Sequence, residues 1–309
     1  MGLVILGLCA GNIFAQGDGS HSYLLSPKGI TGVNAKWLSL DQNFIPAGTA
    51  MVPGAEIRVD VFPITIFHTF SLGGKIAQAY CMFNPGSAIA RAKIGPPIGP
   101  IPVYELSASG FSDGFIAFKI GLLGAPAIAA RNFAQTPMQF SLFADLRYWY
   151  SGTYDANKLF NLGTNRNIVQ IGFPMAIPLN RNRKTATWLE IAPALDIFTD
   201  NNDPARASSA KKLEQAPLFL LENHLSHNFN PKLWGTVNMR FQQGGQTAAD
   251  GVKDGNSISA VGGGLGLGYQ LLPPLSLSMD YGGALFGQQA KGSMFRISMV
   301  FAYANLKKN

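Results

Sequence analysis

Along most of the chain, apolar and polar residues alternate with a period of two, in one short segment after another. A strand with two unlike faces needs this pattern. Leu233, Gly235, Val237, Met239 and Phe241 interleave with Trp234, Thr236, Asn238, Arg240 and Gln242. Met138, Phe140, Leu142, Ala144, Leu146 and Tyr148 face away from Gln139, Ser141, Asp145 and Arg147. Near the C-terminus Phe295, Ile297, Met299, Phe301 and Tyr303 alternate with Arg296 and Ser298, and near the start Ile57, Val59 and Val61 alternate with Glu56, Arg58 and Asp60. Such segments suit strands with lipid on one side and an aqueous interior on the other. Gly262, Gly264, Gly266 and Gly268 share one face of a further segment. They lack the spacing of a dinucleotide loop and instead predict room for something packed inside.

The connections sharpen this reading. From residue 138 onward they alternate long and short: 151–165, then 178–184; 199–215, then 228–232; 244–256, then 272–274. Outer-membrane barrels have long extracellular loops and short periplasmic turns, and counting back from a final strand that ends in the periplasm puts every long loop outside. The first half is less regular. Residues 41–53 make a long connection, 95–102 a proline-rich one, and 124–137 is longer than a periplasmic turn should be. Twelve or thirteen candidate strands result. Bacterial barrels favour even numbers, so the expected fold is all-β, a transmembrane antiparallel up-and-down β-barrel of about 12 strands in the bacterial outer membrane.

Composition agrees. Charged residues make up 13% of the 309 residues, against roughly 25% in a soluble globule, and there are 35 glycines and 21 phenylalanines. Beyond the first fifteen residues no run approaches the ~20 apolar residues of a spanning helix, so the hydrophobicity is spread over strand faces. Residues 1–15 read as a signal peptide, with the apolar core Leu3–Leu8 and a cleavage point at Ala15, leaving 16–309 as the barrel. The formal charge of +7 includes no Lys/Arg block that would follow phosphates, so nucleic acid is not an expected partner. Cys9 falls in the leader and Cys81 stands alone, which implies neither a disulfide nor a thiolate metal site. Trp149, Trp188 and Trp234, with Tyr148, Tyr150, Tyr269, Tyr281 and Tyr303, lie in or at the ends of strands, where an interfacial aromatic girdle is expected.

Between Gly110 and Gly283 the motifs Gly110-Phe111-Ser112-Asp113, the stretch 155–166, Phe198-Thr199-Asp200-Asn201-Asn202-Asp203, Leu213-Glu214-Gln215-Ala216-Pro217, Leu233-Trp234 and Gln243-Gly244-Gly245-Gln246-Thr247 occur in order. The early Ser20-His21-Ser22-Tyr23 is read with the same set. Together they resemble the MetA-pathway of phenol degradation family of outer-membrane transporters. The resemblance implies a β-barrel and uptake of phenol or related aromatic compounds.

Candidate chemistry lies in the lumen. Taking the charged face of each strand as the inner one points Glu56, Arg58 and Asp60 inward, then Lys119, Asp145 and Arg147, then Glu190 and Asp196, then Glu222, His224 and Arg240, and finally Asp280 and Arg296. Both signs are present, so these residues can cross-brace the wall as pairs or form a charged constriction that selects solutes. A rival reading makes the barrel a lipid hydrolase, because His224 and Ser226 share a strand face with Glu222. That face is assigned to the lumen, whereas a lipid-acting site should open to the bilayer. Asp200, Asn201, Asn202 and Asp203 are an oxygen-rich loop but lack the twelve-residue calcium-loop pattern, and no His pair has zinc spacing. No cofactor, metal or catalytic residue is therefore expected. The favoured function is passive uptake of small hydrophobic or aromatic compounds, with loops from Ser151, Thr199 and Gly244 shaping the entrance. The expected partners are outer-membrane lipid, the solute, and the barrel-assembly machinery during biogenesis. The alternative is a structural or surface barrel whose lumen is closed, with residues 16–41 as the candidate plug.

Overall fold

A computed structural model describes residues 17–52, 54–93, 103–287 and 290–304. The leader expected over 1–15 and the proline-rich connection 95–102 lie outside these residues. The strands in chain order are β1 (Ile30–Gln42), β2 (Glu56–Val61), β3 (Ile64–Leu72), β4 (Lys75–Lys93), β5 (Val103–Leu123), β6 (Ser141–Tyr150), β7 (Ile168–Gly172), β8 (Met175–Pro178) and β9 (Thr187–Phe198). They continue with β10 (Leu213–Gln215), β11 (Leu218–Asn228), β12 (Leu233–Gly244), β13 (Thr247–Ala249), β14 (Val252–Lys253), β15 (Ile258–Leu272), β16 (Leu275–Gly287) and β17 (Gly292–Ala304).

All pairings between these strands are antiparallel. β17 pairs with β1, and β11 pairs with both β9 and β12, so the sheet closes on itself. β2 and β3 together form one stave between β1 and β4, and β7 and β8 form one between β6 and β9. The barrel thus has 12 staves. Closure removes the unpaired edges that would otherwise meet lipid.

Proline explains both divided staves. Pro63 separates β2 from β3, and Pro174 separates β7 from β8. Proline has no N–H to give the ladder, but its carbonyl still accepts. Lys36 N donates to Pro63 O at 2.8 Å and Phe143 N to Pro174 O at 2.9 Å, so the wall stays joined at each break.

Counted by staves, the first half of the chain regains its regularity. Gly73-Gly74 makes the short turn between β3 and β4, both residues at positive φ, a conformation glycine adopts without a steric penalty. The connection 124–140 lies at that same end despite its length, and it carries a single-turn helix, Ala130–Phe133. Connections 43–55, 151–167, 199–217 and 245–257 fall at the opposite, outer end, where β4 also ends and β5 begins, and where β16 ends and β17 begins.

Inner and outer faces follow from register, because residues directly opposite in a pair share a face. Outward residues form an apolar belt: Leu265, Leu267, Val237, Met279, Ile297, Met299 and Leu146 are all exposed. Tyr148, Tyr269, Tyr281 and Tyr303 join them, as the girdle reading expected. The tryptophans do not. Trp149 shares its face with inward Asp145 and Arg147, and Trp234 with inward Thr236 and Asn238; Trp188 lies opposite the fully buried Ser226. Their rings serve the interior.

The four glycines of β15 also face inward, opposite Arg240, Asn238, Thr236 and Trp234. A Cβ on Gly268 would lie 2.1 Å from the Trp234 ring, and one on Gly266 would lie 2.3 Å from Asp280 Oδ1. The room they leave is filled by side chains of the neighbouring staves.

Candidate functional site

The lumen is occupied by the chain's own N-terminal segment. From Gly29 at the short-turn rim, where Gly29 N donates to Thr69 O at 2.7 Å, residues 28 back to 17 rise into the barrel. Pro27 is tied to the same rim, its carbonyl accepting from Thr69 Oγ1 at 2.7 Å. No periodic pattern marks this stretch, because a plug meets a different neighbour at each residue.

Charged wall residues hold it. Glu190, fully buried on β9, accepts from the backbone N–H groups of His21 and Tyr23 at 2.7 and 2.8 Å. The Arg147 guanidinium on β6 makes a two-pronged bond to Asp18, at 3.1 and 2.5 Å, and also binds Asp145 at 2.8 Å. Such fork-on-carboxylate geometry is the strong form of a charged hydrogen bond. Glu222 on β11 accepts from the Tyr23 hydroxyl at 2.9 Å and from Arg240 at 2.7 Å. Lys119 and Lys36 donate to the carbonyls of Ser22 and Asp18, and Arg296 donates to that of Gly17 at 2.7 Å. His21 stacks on Trp234 with ring centroids 4.9 Å apart. Burying so many charges is tolerable because they are paired or bonded to backbone. The acids and bases around the plug nearly balance.

Behind the plug the wall carries its own network. Arg296 Nε binds Asp280 at 3.0 Å, Asp280 accepts from Asn238 at 3.0 Å, and the Asn238 oxygen lies 2.7 Å from His224 Nδ1. That oxygen also accepts from Thr236, so His224 Nδ1 is assigned as the N–H donor. Ser226 is fully buried and makes no hydrogen bond to His224; its Oγ has no hydrogen-bond partner among the described residues, and His224 Nε2 faces Glu222 Oε2 at 3.7 Å, beyond hydrogen-bond distance.

Above the plug the lumen turns apolar. The connection 43–55 folds across the outer mouth and drops Phe44 and Met51 into a cluster with Leu40, Val59, Leu162, Leu218 and Ile258. Gln42 Nε2 fixes its first turn by donating to Phe44 O and Ile45 O. Three other outer connections clamp it: Gln215 Nε2 donates to Thr49 O at 2.6 Å, Asn256 Nδ2 to Met51 O at 3.0 Å, and Lys291 N to Asn43 Oδ1 at 2.8 Å. Between this lid and the plug lies a chamber. Gly17, Asp18 and Tyr23 form its floor and 46–49 its cover; its walls combine Leu38, Val61, Phe115, Trp149, Ile168, Leu218 and Leu220 with the charged Lys36, Asp113, Asp145, Arg147, Asp196, Glu222 and Arg240. A second space lies at the short-turn rim, between Leu24 and Leu25 of the plug segment and Phe133, Arg183 and Trp188.

The outer loops are braced internally. Asp113 accepts from Gly152 N, Thr164 N and Thr164 Oγ1, and Asn165 Nδ2 donates to Asn201 Oδ1 at 2.8 Å. Asp203 N donates to that same Asn201 oxygen, and Lys212 pairs with both Asp200 and Glu214. β10, β13 and β14 form a small sheet here, outside the barrel wall. The Asn157 amides hold the Asp155 carboxyl below the usual carboxylate range, and the partners Glu214 and Asp200 raise Lys212. The 155–166 and 198–203 motifs thus lock one loop to the next.

Of the residues assigned inward by sequence, Lys119, Asp145, Arg147, Glu190, Asp196, Glu222, His224, Arg240, Asp280 and Arg296 lie in the interior. Glu56, Arg58 and Asp60 do not, and their assignment is corrected. Lys36, which reaches the plug, sets the inward face of β1; on that face Leu38, Leu40 and Gln42 pair with Val61, Val59 and Ile57. The charged residues of β2 therefore point outward, where Arg58 pairs with Asp60 in the open. Here the lumen is the apolar, lidded part, so the usual rule inverts. The candidate plug 16–41 is corrected in its bounds: Asp18 and Tyr23 lie in the lumen, but from Ile30 onward the chain is wall strand β1, which carries Lys36. Phe44 and Met51 escaped the sequence reading. The length of 43–55 was the one available signal for these two.

Comparison with known proteins fits this architecture. The family model described as "Putative MetA-pathway of phenol degradation" matches residues 58–288, which leaves Ser20-His21-Ser22-Tyr23 outside the match. The fold is similar to an outer membrane channel from Pseudomonas putida F1, with a TM-score of 0.71 and 15% identity, covering 92% of this chain and 99% of that one. It also resembles the translocator domain of the autotransporter NalP from Neisseria meningitidis (TM-score 0.54, 11% identity, 89% of each chain). The β domain of the Bordetella autotransporter BrkA is similar at TM-score 0.50 and 12% identity, covering 88% of this chain and 99% of that one. No curated protein matches. With most of its length inside the matched region and its wall closed around a lidded lumen, this outer-membrane β-barrel belongs to the MetA-pathway of phenol degradation family.

Proposed function

We propose that the barrel takes small hydrophobic or aromatic molecules from outside into its chamber and passes them passively to the periplasm. The chamber carries this reading: its outer wall and lid are built of apolar residues, and the charged residues that line it lie mostly toward the plug, which most of them hold. A pore for hydrophilic solutes needs a continuous polar path. Here the outer part of the lumen is lined by Phe44, Met51, Leu162 and Leu218 instead. Binding by shape and area, with a few polar contacts, suits an apolar ligand. Lys119, Asp145, Arg147, Glu190, Glu222 and Arg296 serve as the constriction, acting through the plug they grip. Residues 1–15 act as the export leader of this reading, and no reaction is catalysed.

The density of bonds on the plug also supports a second reading, a structural barrel whose lumen stays closed. One experiment separates them. Purified full-length protein in liposomes should speed uptake of a small aromatic such as toluene over protein-free vesicles, while adding little permeability to sugars. Vesicles in which the protein changes neither rate would leave the closed barrel as the surviving account.

A further inference from the structure

We infer that Asp196 is the specificity-determining residue of the chamber, and that its free oxygen accepts a hydrogen bond from the hydroxyl or ammonium group of an otherwise apolar solute. The inference rests on the uptake reading above and names the substrate class for the same chamber.

The lumen carboxylates are accounted for one by one. Asp18 and Asp145 share Arg147, Glu222 has Arg240, Asp280 has Arg296, Glu190 spends both oxygens on plug N–H groups, and Asp113 accepts from Gly152 N, Thr164 N and Thr164 Oγ1. Asp196 stands apart. It is 3% exposed, and its one bond among the described residues is from Gln170 Nε2 to Oδ1, at 2.6 Å. No Lys, Arg or His among the described residues forms an ion pair with it. A neutral amide does not compensate a buried carboxylate as a cation would, so holding one here costs stability unless a further donor arrives.

The surroundings show where that donor comes from. Asp196 lines the chamber, opposite Gln170 on β7 and Leu218 on β11. Its inward neighbours along β9 are Ala194 and Ala192, whose small side chains leave space beside the carboxylate. Trp149 lines the same chamber, and its indole N–H is buried without a hydrogen-bond partner among the described residues. A buried acceptor without a cation partner therefore faces a chamber whose outer wall is apolar, the arrangement of a small-molecule site in which a few polar groups fix the ligand. Sites that hydrogen-bond a substrate group discriminate against analogues lacking it, because the site's own polar atoms are then left unpaired.

The test compares three solutes of one shape, 4-ethylphenol, 2-phenylethylamine and ethylbenzene, by equilibrium binding to the purified full-length barrel, with protein-free detergent as the blank. Wild-type protein should bind at least one of the two donor-bearing solutes about tenfold more tightly than ethylbenzene. Preference for the phenol alone or the amine alone upholds the inference and says which donor is taken. Asp196→Leu should bring that ratio close to one; Asp196→Asn, nearly isosteric, should lower it while leaving the fold as judged by circular dichroism. Equal binding of all three solutes by the wild type, or an unchanged ratio in both variants, would overturn the inference. Liposome uptake measured in parallel keeps the two readings apart. An intact ratio without uptake rejects passage and keeps Asp196, whereas uptake with no ratio does the reverse.

Discussion

At the scale of single residues, the interior is a matter of pairing. Glu190 shows the logic: a carboxylate with no cation beside it is stabilised by two backbone N–H groups of the plug, and these N–H groups have no strand partner of their own. Each such bond to a charged acceptor contributes about 1.5–3 kcal/mol, and a polar group left buried without its partner costs a similar amount. Glu190→Ala should therefore free the plug near Tyr23. Single-channel recordings in planar bilayers should show open events about tenfold or more as frequent as in the wild type. Wild-type conductance in that variant would mean that Arg147 and Glu222 hold the plug alone. Arg147 is the other anchor. It binds Asp18 of the plug and Asp145 of the wall at once, so plug and wall share one charge balance.

At the scale of elements, strand spacing and side-chain size are matched across the wall. β15 gives up side chains on its inner face so that Trp234, Thr236 and Asp280 can stand beside it, and Trp234 in turn carries His21 of the plug. Gly268→Leu should drive the indole off its place. Overfilling a packed interior costs about 1–3 kcal/mol, so a lower melting temperature is expected, together with raised conductance as His21 loses its stacking partner. Unchanged values of both would show that the indole has a second resting place. The proline-divided staves are the complementary device: β2 and β3, like β7 and β8, change course at a residue that cannot donate, while carbonyls on either side keep the ladder joined.

At the scale of the whole molecule, the barrel is a vessel closed twice, by the lid 43–55 and by the plug. The lid is clamped from three separate outer connections and the plug from most of the wall. Deleting residues 17–26 should expose the charged interior to water. The prediction is a large, steady conductance and a lower melting temperature, since Glu190 and Lys119 lose their plug partners and Arg147 loses Asp18 at one stroke. A deletion variant as closed as the wild type would assign the barrier to the lid.

Period-two alternation, the even rhythm of long and short connections and the low charge are local properties. They were enough to determine a closed antiparallel barrel, and they marked most of the residues that meet in its interior. Alternation, however, distinguishes two faces without saying which is inner. That is decided by depth and closure. Strands β4 and β5 run for 19 and 21 residues, well past the roughly 9–11 that a bilayer needs, so the outward face at the outer end leaves the lipid and can be charged, as at Arg58 and Asp60. The inward face there meets an apolar lid instead of water, as at Val59 and Val61. Likewise an aromatic in a strand suits either a lipid interface or a lumen, and only register turned Trp149 and Trp234 inward. The plug and lid have no repeating environment, hence no repeating pattern, and their contacts join residues more than a hundred positions apart. Only the tertiary structure could bring Tyr23 to Glu190 and Met51 to Asn256.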